Sequence, residues 1–184
     1  MGRFTSLLRR IFKGTLACAI EDGLKVGKNV TDNGGCNFGS EPYLITLEDN
    51  VRLSGNVTFI THDGGNYAFR YKDEYKDVNH FGKIHIEEHS FIGANCTIMP
   101  GVRIGKNCVI GAGSVVTKSV PAGCIAAGIP ARVIGHTDDY AEKMKRKMPS
   151  GWDVDAYKAN KREYLTSMIP DPEPAIEEDE HEQR

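Results

Sequence analysis

The sequence lacks any long apolar run. Its apolar residues are spread over 184 positions, and no stretch approaches the roughly 18 to 20 apolar residues that a transmembrane helix requires. No signal peptide is evident at the start of the chain. These absences argue against a helical membrane protein and predict one cytoplasmic domain, because the length and apolar content suit a single core.

Cysteine is scarce, and its spacing suits neither a metal centre nor a disulfide framework. The five cysteines are an odd number and include no CxxC pair. They are Cys18, Cys36, Cys96, Cys108 and Cys124. We therefore expect reduced thiols in a reducing compartment.

The chain has no large net charge of either sign. The formal net charge is −2, but residues 171–184 hold seven acidic residues and one basic residue, so the remainder has 22 basic against 18 acidic side chains, or +4. Nucleic-acid binding needs a basic face on the folded body, which the nearly neutral middle of the chain does not provide. We expect no nucleic-acid partner.

What the chain does contain is a repeat of six residues between Ile84 and Thr117, which reads IHIEEHSFIGANCTIMPGVRIGKNCVIGAGSVVT. This period fits neither an α-helix nor ordinary hairpin strands with variable turns. The apolar residue of each unit is Ile86, Ile92, Ile98, Ile104, Ile110 or Val116, and the residue two before it is Ile84, Ser90, Cys96, Val102, Cys108 or Ser114. Alternate residues of a strand face one side, so both sets are predicted to point inward.

Each unit also has a turn residue three positions after its apolar residue. Asn95, Gly101, Asn107 and Gly113 occupy this position, and Asn and Gly enter left-handed backbone conformations at least cost. A chain that makes a short strand and a corner every six residues coils into a parallel β-solenoid with one continuous core. We predict this all-β fold for residues 24–136, with an irregular first coil because Asp32 occupies an apolar position.

The segments outside the repeat are predicted to be helical or disordered. Residues 1–23 form an amphipathic segment, and its basic residues 1–13 suit peripheral contact with an anionic membrane, although capping of the solenoid or subunit packing is favoured. Residues 137–169 form C-terminal helices, one over 138–147 and a second from Val154 to Met168. Residues 170–184 have too few apolar residues to offset the entropy of ordering, so we expect disorder.

The phase of the repeat breaks after Phe59. A regular set ends at Leu53 and Phe59, and the next apolar position, Ile86, follows 27 residues later instead of six. A long loop must therefore leave the solenoid within residues 62–83, and long loops on rigid scaffolds are commonly functional. His62 stands at the corner position where the loop departs, and its near-neutral reference pKa suits a general base.

Two carboxylates are candidates to orient His62. Glu41 has the same phase as His62 and precedes it by 21 residues, one eighteen-residue coil plus three. If the three extra residues lie between Glu41 and Leu47, the two side chains stack on adjacent coils, and Glu41 would orient the imidazole or bind a substrate. Asp63, the next residue in the sequence, is the competing candidate.

Three histidines, His62, His80 and His85, raise the alternative of a zinc site. Imidazoles on neighbouring coils can converge on a metal, but His80 lies in the loop and His85 adjoins a strand, so the sequence defines no ligand geometry. We expect no catalytic metal.

The residues resemble the hexapeptide-repeat acyltransferases, a family with a left-handed parallel β-helix. The resemblance covers residues 26–135 and rests on the tandem hexapeptides, on FGSEPYLITLEDN and TFITHDGG, and on AAGIPARVIG. It looks like the branch that acetylates sugars of capsular polysaccharide and lipopolysaccharide, related to galactoside and maltose acetyltransferases. The resemblance implies left-handed coils, a homotrimer with active sites between subunits, and coenzyme A thioesters as donors.

The resemblance also implies a role for individual residues. His62 matches the catalytic histidine of the family. The implied donor-binding residues are Ala94, Ala112, Thr117, Lys118 and Arg132. The first two match positions whose backbone contacts the pantetheine arm, and the other three match positions near the adenosine and its phosphates. The implied reaction is direct transfer of an acetyl group from acetyl-CoA to a sugar hydroxyl, without a covalent acyl-enzyme.

Three other functions are left open by the residues. An N-acetyltransferase of a nucleotide-linked amino sugar shares the scaffold and the base. A zinc hydratase resembling the gamma-class carbonic anhydrases and a non-catalytic solenoid used for assembly are the remaining alternatives. The loop aromatics, which include Tyr67, Phe69 and Tyr71, are predicted to shape the acceptor pocket because aromatic faces pack well on sugar rings.

Overall fold

The computed structural model describes residues 13–172, which divide into two compact units, one ending at Ala141 and one starting at Glu142. The first unit contains helix α1 (Thr15–Glu21) and a series of short strands, most of them two residues long. The strands are β1 (Lys25–Val26), β2 (Thr31–Asp32), β3 (Ile45–Leu47), β4 (Arg52–Leu53), β5 (Thr58–Phe59), β6 (Ile84–Ile86), β7 (Phe91–Ile92), β8 (Thr97–Ile98), β9 (Arg103–Ile104), β10 (Val109–Ile110), β11 (Val115–Val116), β12 (Cys124–Gly128) and β13 (Ala131–His136).

The strands form three sheets, which we call the first, second and third faces. The first face has the order β1-β3-β6-β9, the second β13-β12-β10-β7-β4-β2 and the third β11-β8-β5. From β1 to β12, strands that follow each other in the sequence lie on different faces. Each pairs with strands of neighbouring coils, as Ile86 pairs in parallel with Ile104 eighteen positions later. The parallel β-solenoid predicted from the six-residue period is therefore confirmed.

The core is a set of stacked rows inside the coils. All twelve inward positions predicted between Ile84 and Val116 are buried, none with more than 2% exposure. The same rows continue to earlier coils, where the rings of Phe38 and Phe59 stack with centroids 5.2 Å apart and planes within 8°. Burial of each large apolar side chain contributes about 1.5–3 kcal/mol relative to exposure, so the repeat itself supplies the stability of this unit.

The predicted corners also form as expected. Asn95, Gly101, Asn107 and Gly113 have φ angles of 57°, 80°, 56° and 71°. His89, at the same position of its own unit, has a φ of 57°. A histidine therefore makes the left-handed corner that the other units make with Asn or Gly.

The irregular first coil is explained by contacts of Asp32. The hydroxyl of Thr15 donates to Oδ2 of Asp32 at 2.7 Å, and the amide of Gly34 donates to Oδ1 at 2.7 Å. Helix α1 packs its buried Ala19 on the apolar core beside Leu24. The predicted amphipathic face lies mostly in residues 1–12, which are outside the described residues.

The solenoid ends in two longer strands of the second face. β12 and β13 form an antiparallel pair, with Ala127 opposite Arg132. Helix α2 (Thr137–Lys147) follows where a helix was predicted. No helix within residues 13–172 is both long and apolar enough to cross a membrane.

The second unit corrects the prediction of one helix from Val154 to Met168. The segment forms two helices, α3 (Val154–Ala159) and α4 (Lys161–Met168). Asn160 has φ −147° and ψ 77°, and its side chain accepts a hydrogen bond from the amide of Glu163 at 3.4 Å. Asn160 thus caps α4 instead of continuing α3. Most of the tail predicted to be disordered, residues 173–184, lies outside the described residues.

Candidate functional site

His62 lies where the chain leaves the solenoid. It follows β5 on the third face and occupies the phase of a corner, but it is not among the residues with left-handed φ angles, because the chain departs into the loop instead of turning the corner. His62 and Phe81 form an antiparallel bridge, and the amide of Asp63 donates to the carbonyl of His80 at 2.9 Å. The two ends of the predicted long loop therefore meet beside His62.

Glu41 lies beside His62 for the reason that the phase arithmetic required. The three extra residues form a short 3₁₀ turn, Pro42–Leu44, directly after Glu41. This turn places Glu41 one coil from His62, where Nδ1 of the ring lies 2.9 Å from Oε2 of the carboxylate. The side chain of Glu41 is 16% exposed and that of His62 is 45% exposed, so the carboxylate is inside and the imidazole faces solvent.

The pKa of Glu41 is lower than the ordinary value for a glutamate. Burial acts to raise it, but hydrogen bonds from Thr61, His62 and Ser40 together outweigh burial. The hydroxyl of Thr61 donates to Oε2 at 2.6 Å. Glu41 is therefore a carboxylate at neutral pH.

The charge of Glu41 sets the proton position on His62. An ionised carboxylate only accepts hydrogen bonds, so Nδ1 of His62 must carry the proton and Nε2 of the neutral ring must have the lone pair. Within residues 13–172 no protein group hydrogen-bonds to Nε2, and the ring lies at a tilt against Phe81 with centroids 5.8 Å apart. The arrangement suits a general base.

Asp63 makes a different contact. Its carboxylate accepts a hydrogen bond from the amide of Gly65 at 2.8 Å and caps the 3₁₀ turn Gly64–Ala68. Inside this turn Asn66 is 7% exposed, and its Nδ2 has no hydrogen-bond partner within the described part of the chain. Asp63 thus shapes the start of the loop while Glu41 contacts the ring.

The predicted donor-binding residues lie on more than one edge of the solenoid. Ala94 and Ala112 occupy equivalent positions of consecutive coils between the second and third faces, and the amide of Gly113 donates to the carbonyl of Ala94 at 2.8 Å. Thr117 and Lys118 follow β11 and are exposed at the corner between the third and first faces, the corner that His62 also occupies in an earlier coil.

Arg132 stands apart from the other predicted donor residues. It lies on β13 at the edge of the second face, and its side chain is exposed. The guanidinium donates to the carbonyl of Ala131 at 2.9 Å. One chain therefore does not gather all five predicted donor residues and His62 on one edge.

A second histidine–carboxylate pair lies on the first face. Nε2 of His85 is 2.6 Å from Oε1 of Glu48. Glu48 also borders a groove of about 420 Å³, whose lining includes Lys25, Asp49 and Glu88 but not His62. Among the residues that the structure describes, no group of three or more His, Cys, Asp and Glu is placed to hold a metal ion.

Two contacts of the site were not predicted from the sequence, that of Thr61 with Glu41 and that of Phe81 with His62. Thr61 alternates with Phe59, so strand alternation could have shown that its side chain points inward towards Glu41. The contact with Phe81 had no such signal, because it depends on how the loop returns to the solenoid.

Comparison with known proteins agrees with the repeat and the fold. Residues 83–118 match the family described as the hexapeptide repeat of succinyl-transferase. The chain is 49% identical over 107 residues to Protein CapG of Staphylococcus aureus, an alignment that covers 58% of this chain and 61% of that protein.

Two solved structures extend the comparison. A maltose O-acetyltransferase from Clostridium difficile 630 is 34% identical with a TM-score of 0.54, covering 62% of this chain and 59% of that one. A hexapeptide-repeat acetyltransferase from Vibrio cholerae O1 biovar eltor, solved with acetyl coenzyme A, is 28% identical with a TM-score of 0.54, covering 62% and 61%. The chain spans about three fifths of each of these relatives. In its repeat and its fold, the β-solenoid of this chain is similar to the hexapeptide-repeat acetyltransferases.

Proposed function

We propose that the protein transfers an acetyl group from acetyl-CoA to a hydroxyl group of a sugar in a polysaccharide or its precursor. The His62–Glu41 pair carries this proposal, because it presents an imidazole nitrogen with a free lone pair beside a long surface loop. The relative solved with acetyl coenzyme A supports the donor, and the maltose O-acetyltransferase supports a sugar hydroxyl as acceptor. We also propose that the coils are left-handed and that the protein is cytoplasmic.

The proposed mechanism uses His62 as the base in a direct transfer. Nε2 takes the proton of the acceptor hydroxyl while the hydroxyl oxygen attacks the thioester carbonyl. Such general-base catalysis typically raises the rate about 10²- to 10⁴-fold. The tetrahedral intermediate then expels the thiolate of coenzyme A, which takes the proton from the imidazolium. Glu41 stabilises the imidazolium between these steps. The products are an acetyl ester and free coenzyme A.

The acceptor is proposed to bind beside the loop that begins at His62. Tyr67 and Tyr71 are 85% and 80% exposed, and aromatic faces pack well on sugar rings.

We propose a homotrimer because, within one chain, two of the expected donor-binding residues lie on a different edge of the solenoid from His62. Ala94 and Ala112 lie between the second and third faces, whereas His62 lies between the third and first. A neighbouring copy would bring the missing edge to each His62. The proposed donor contacts are the backbone of these two alanines, with Thr117, Lys118 and Arg132 towards the adenosine and phosphates, where cations suit phosphate.

A thiol-release assay tests the reaction. The purified protein is incubated with acetyl-CoA and a panel of acceptors that includes sugars with free hydroxyl groups and nucleotide-linked amino sugars. A reaction without acceptor serves as the blank. We expect thiol release with hydroxyl acceptors and a loss of about 10²-fold or more in His62→Ala. Wild-type turnover in this variant would overturn the role of His62, a preference for amino acceptors would favour N-acetylation, and activity lost to chelators would favour a metal enzyme.

Mixed oligomers test the shared site. His62→Ala and Arg132→Glu subunits are each expected to be impaired, and co-refolding the two should restore activity if a site combines His62 of one subunit with Arg132 of the next. A monomer by sedimentation equilibrium, or mixtures no more active than the separate variants, would contradict the shared site.

A further inference from the structure

Thr61 is a buried polar residue that has no part in the steps of acetyl transfer proposed above. It is 1% exposed and lies between the buried Phe59 and the exposed His62. Its hydroxyl lies 2.6 Å from Oε2 of Glu41, closer than Nδ1 of His62 at 2.9 Å. A buried hydroxyl is thus directed at the carboxylate beside the exposed imidazole.

The two contacts converge on one atom. Oε2 of Glu41 lies 2.6 Å from Oγ1 of Thr61 and 2.9 Å from Nδ1 of His62. A carboxylate oxygen has two lone pairs and accepts both bonds at once. Both hydrogen bonds favour the ionised carboxylate, which only accepts, so His62 donates through Nδ1.

The position of Thr61 is fixed by its backbone as well. Its carbonyl accepts a hydrogen bond from the amide of Gly82 at 2.8 Å, where the loop returns to the solenoid. Gly39 lies close by, since a Cβ there would be 3.3 Å from the carbonyl oxygen of Phe59 and 3.7 Å from Oγ1 of Thr61. The backbone of Thr61 is therefore held where the loop rejoins the solenoid, with its hydroxyl on Glu41.

We infer that Thr61 is a positioning residue of the proposed acetyl transfer, whose hydroxyl fixes the Glu41 carboxylate so that it holds the proton on Nδ1 of His62 and leaves Nε2 as the base. Thr61 touches neither acetyl group nor acceptor and exchanges no proton in the reaction. The inference rests on the proposed function, because it assigns Thr61 a part in that same site.

A purely structural role for Thr61 makes a different prediction. If the hydroxyl only satisfied a buried carboxylate, its removal would lower stability without changing the proton position on His62. The tautomer of His62 and the turnover number of the folded enzyme therefore separate the two roles.

The experiment compares Thr61→Val, which removes the hydroxyl at nearly constant shape, with Thr61→Ser, which keeps it. Ser90→Ala is the matched control, since Ser90 is also 1% exposed and its hydroxyl bonds the carbonyl of Gly105 at 2.8 Å inside the core. Measurements are kcat, KM for acetyl-CoA, thermal stability, and the ¹⁵N ring signals of neutral His62, assigned by their absence in His62→Ala.

For Thr61→Val we expect kcat to fall about 10- to 100-fold, the usual effect of removing a group that orients a site residue. KM for acetyl-CoA should change little, and the ¹⁵N signals should shift from Nδ1–H towards a mixture of tautomers. Thr61→Ser should keep the wild-type tautomer and most of kcat. Ser90→Ala should lose stability but keep both.

Unchanged kcat and an unchanged tautomer in Thr61→Val would overturn the inference, as would equal changes in Ser90→Ala. If Thr61→Val does not fold, Thr61→Ala serves as the variant without the hydroxyl, with the same expected and contradicting results. If the wild-type protein transfers no acetyl group, the proposed function fails, and the ring spectra of the Thr61 variants still decide whether Thr61 controls the His62 tautomer.

Discussion

Glu41 and His62 are 21 residues apart in the sequence and 2.9 Å apart in the structure, measured from Oε2 to Nδ1. The contact forms because the Pro42–Leu44 turn absorbs three residues and keeps the two side chains at the same corner of adjacent coils. The low pKa of Glu41 keeps the carboxylate ionised, so the proton stays on Nδ1 and the other ring nitrogen stays basic.

Glu41→Gln should slow the proposed acetyl transfer. An uncharged amide stabilises the imidazolium less than a carboxylate does, so kcat should fall about 10- to 100-fold, while KM for acetyl-CoA changes little. Steady-state thiol release measures both constants. The control is Glu48→Gln, which neutralises the similar pair with His85 on the first face. Equal losses in the two variants would show that the effect is not specific to His62.

Gly82→Ala should displace the base of the loop. A Cβ at this position would lie 2.3 Å from the amide nitrogen of Gly101 and 2.7 Å from the carbonyl carbon of Pro100. Because both contacts are backbone atoms, we expect a loss of about 1–3 kcal/mol in the free energy of unfolding and lower activity.

Urea unfolding and thiol release check the Gly82 prediction. Gly64→Ala is the control in the same loop, because a Cβ there meets nothing within 4 Å. If Gly64→Ala is as destabilising as Gly82→Ala, close packing on Gly101 is not the cause.

Glu87 should make the solenoid sensitive to acid. A hydrogen bond from Arg103 lowers the pKa of Glu87, burial opposes it, and a bond from the amide of Lys106 adds to the lowering. A carboxyl whose folded pKa lies below its unfolded value contributes stability above the unfolded pKa, about 4.3 for glutamate, and loses it as the pH falls through the folded pKa.

The free energy of unfolding should therefore fall less for Glu87→Gln than for the wild type when the pH is lowered from about 5 to 3. Urea titrations across this range give the comparison. The exposed loop residue Glu74 provides the control variant, Glu74→Gln, which should follow the wild-type curve. Parallel curves for wild type and Glu87→Gln would refute the prediction.

His89 should tolerate asparagine but not valine. Its φ of 57° is a left-handed conformation that Asn enters readily and β-branched residues do not. His89→Asn should change the free energy of unfolding by less than about 0.5 kcal/mol, whereas His89→Val should cost about 1–2 kcal/mol. Thermal and urea unfolding measure both. A valine variant as stable as the wild type would mean that the corner can relax to a negative φ.

The solenoid, its buried rows and its corners follow from the six-residue repeat alone. Each six-residue unit has its own strand and turn residues, and neighbouring units repeat the same pattern of inward and turn positions. The local backbone preference of each unit therefore agrees with the packing of the whole solenoid. The break after Phe59 then located the loop and His62 without any structure, because a solenoid has no other way to accommodate 21 extra residues.

The groups that meet at that break are set by contacts between segments far apart in the sequence. The sequence left both Glu41, which has the phase of His62, and the adjacent Asp63 as partners of His62, and the choice depended on where a three-residue turn leaves the coil. The convergence of Thr61 and His62 on one carboxylate oxygen of Glu41 and the return of the loop at Phe81 depend on side-chain directions between distant segments, which a local repeat does not encode.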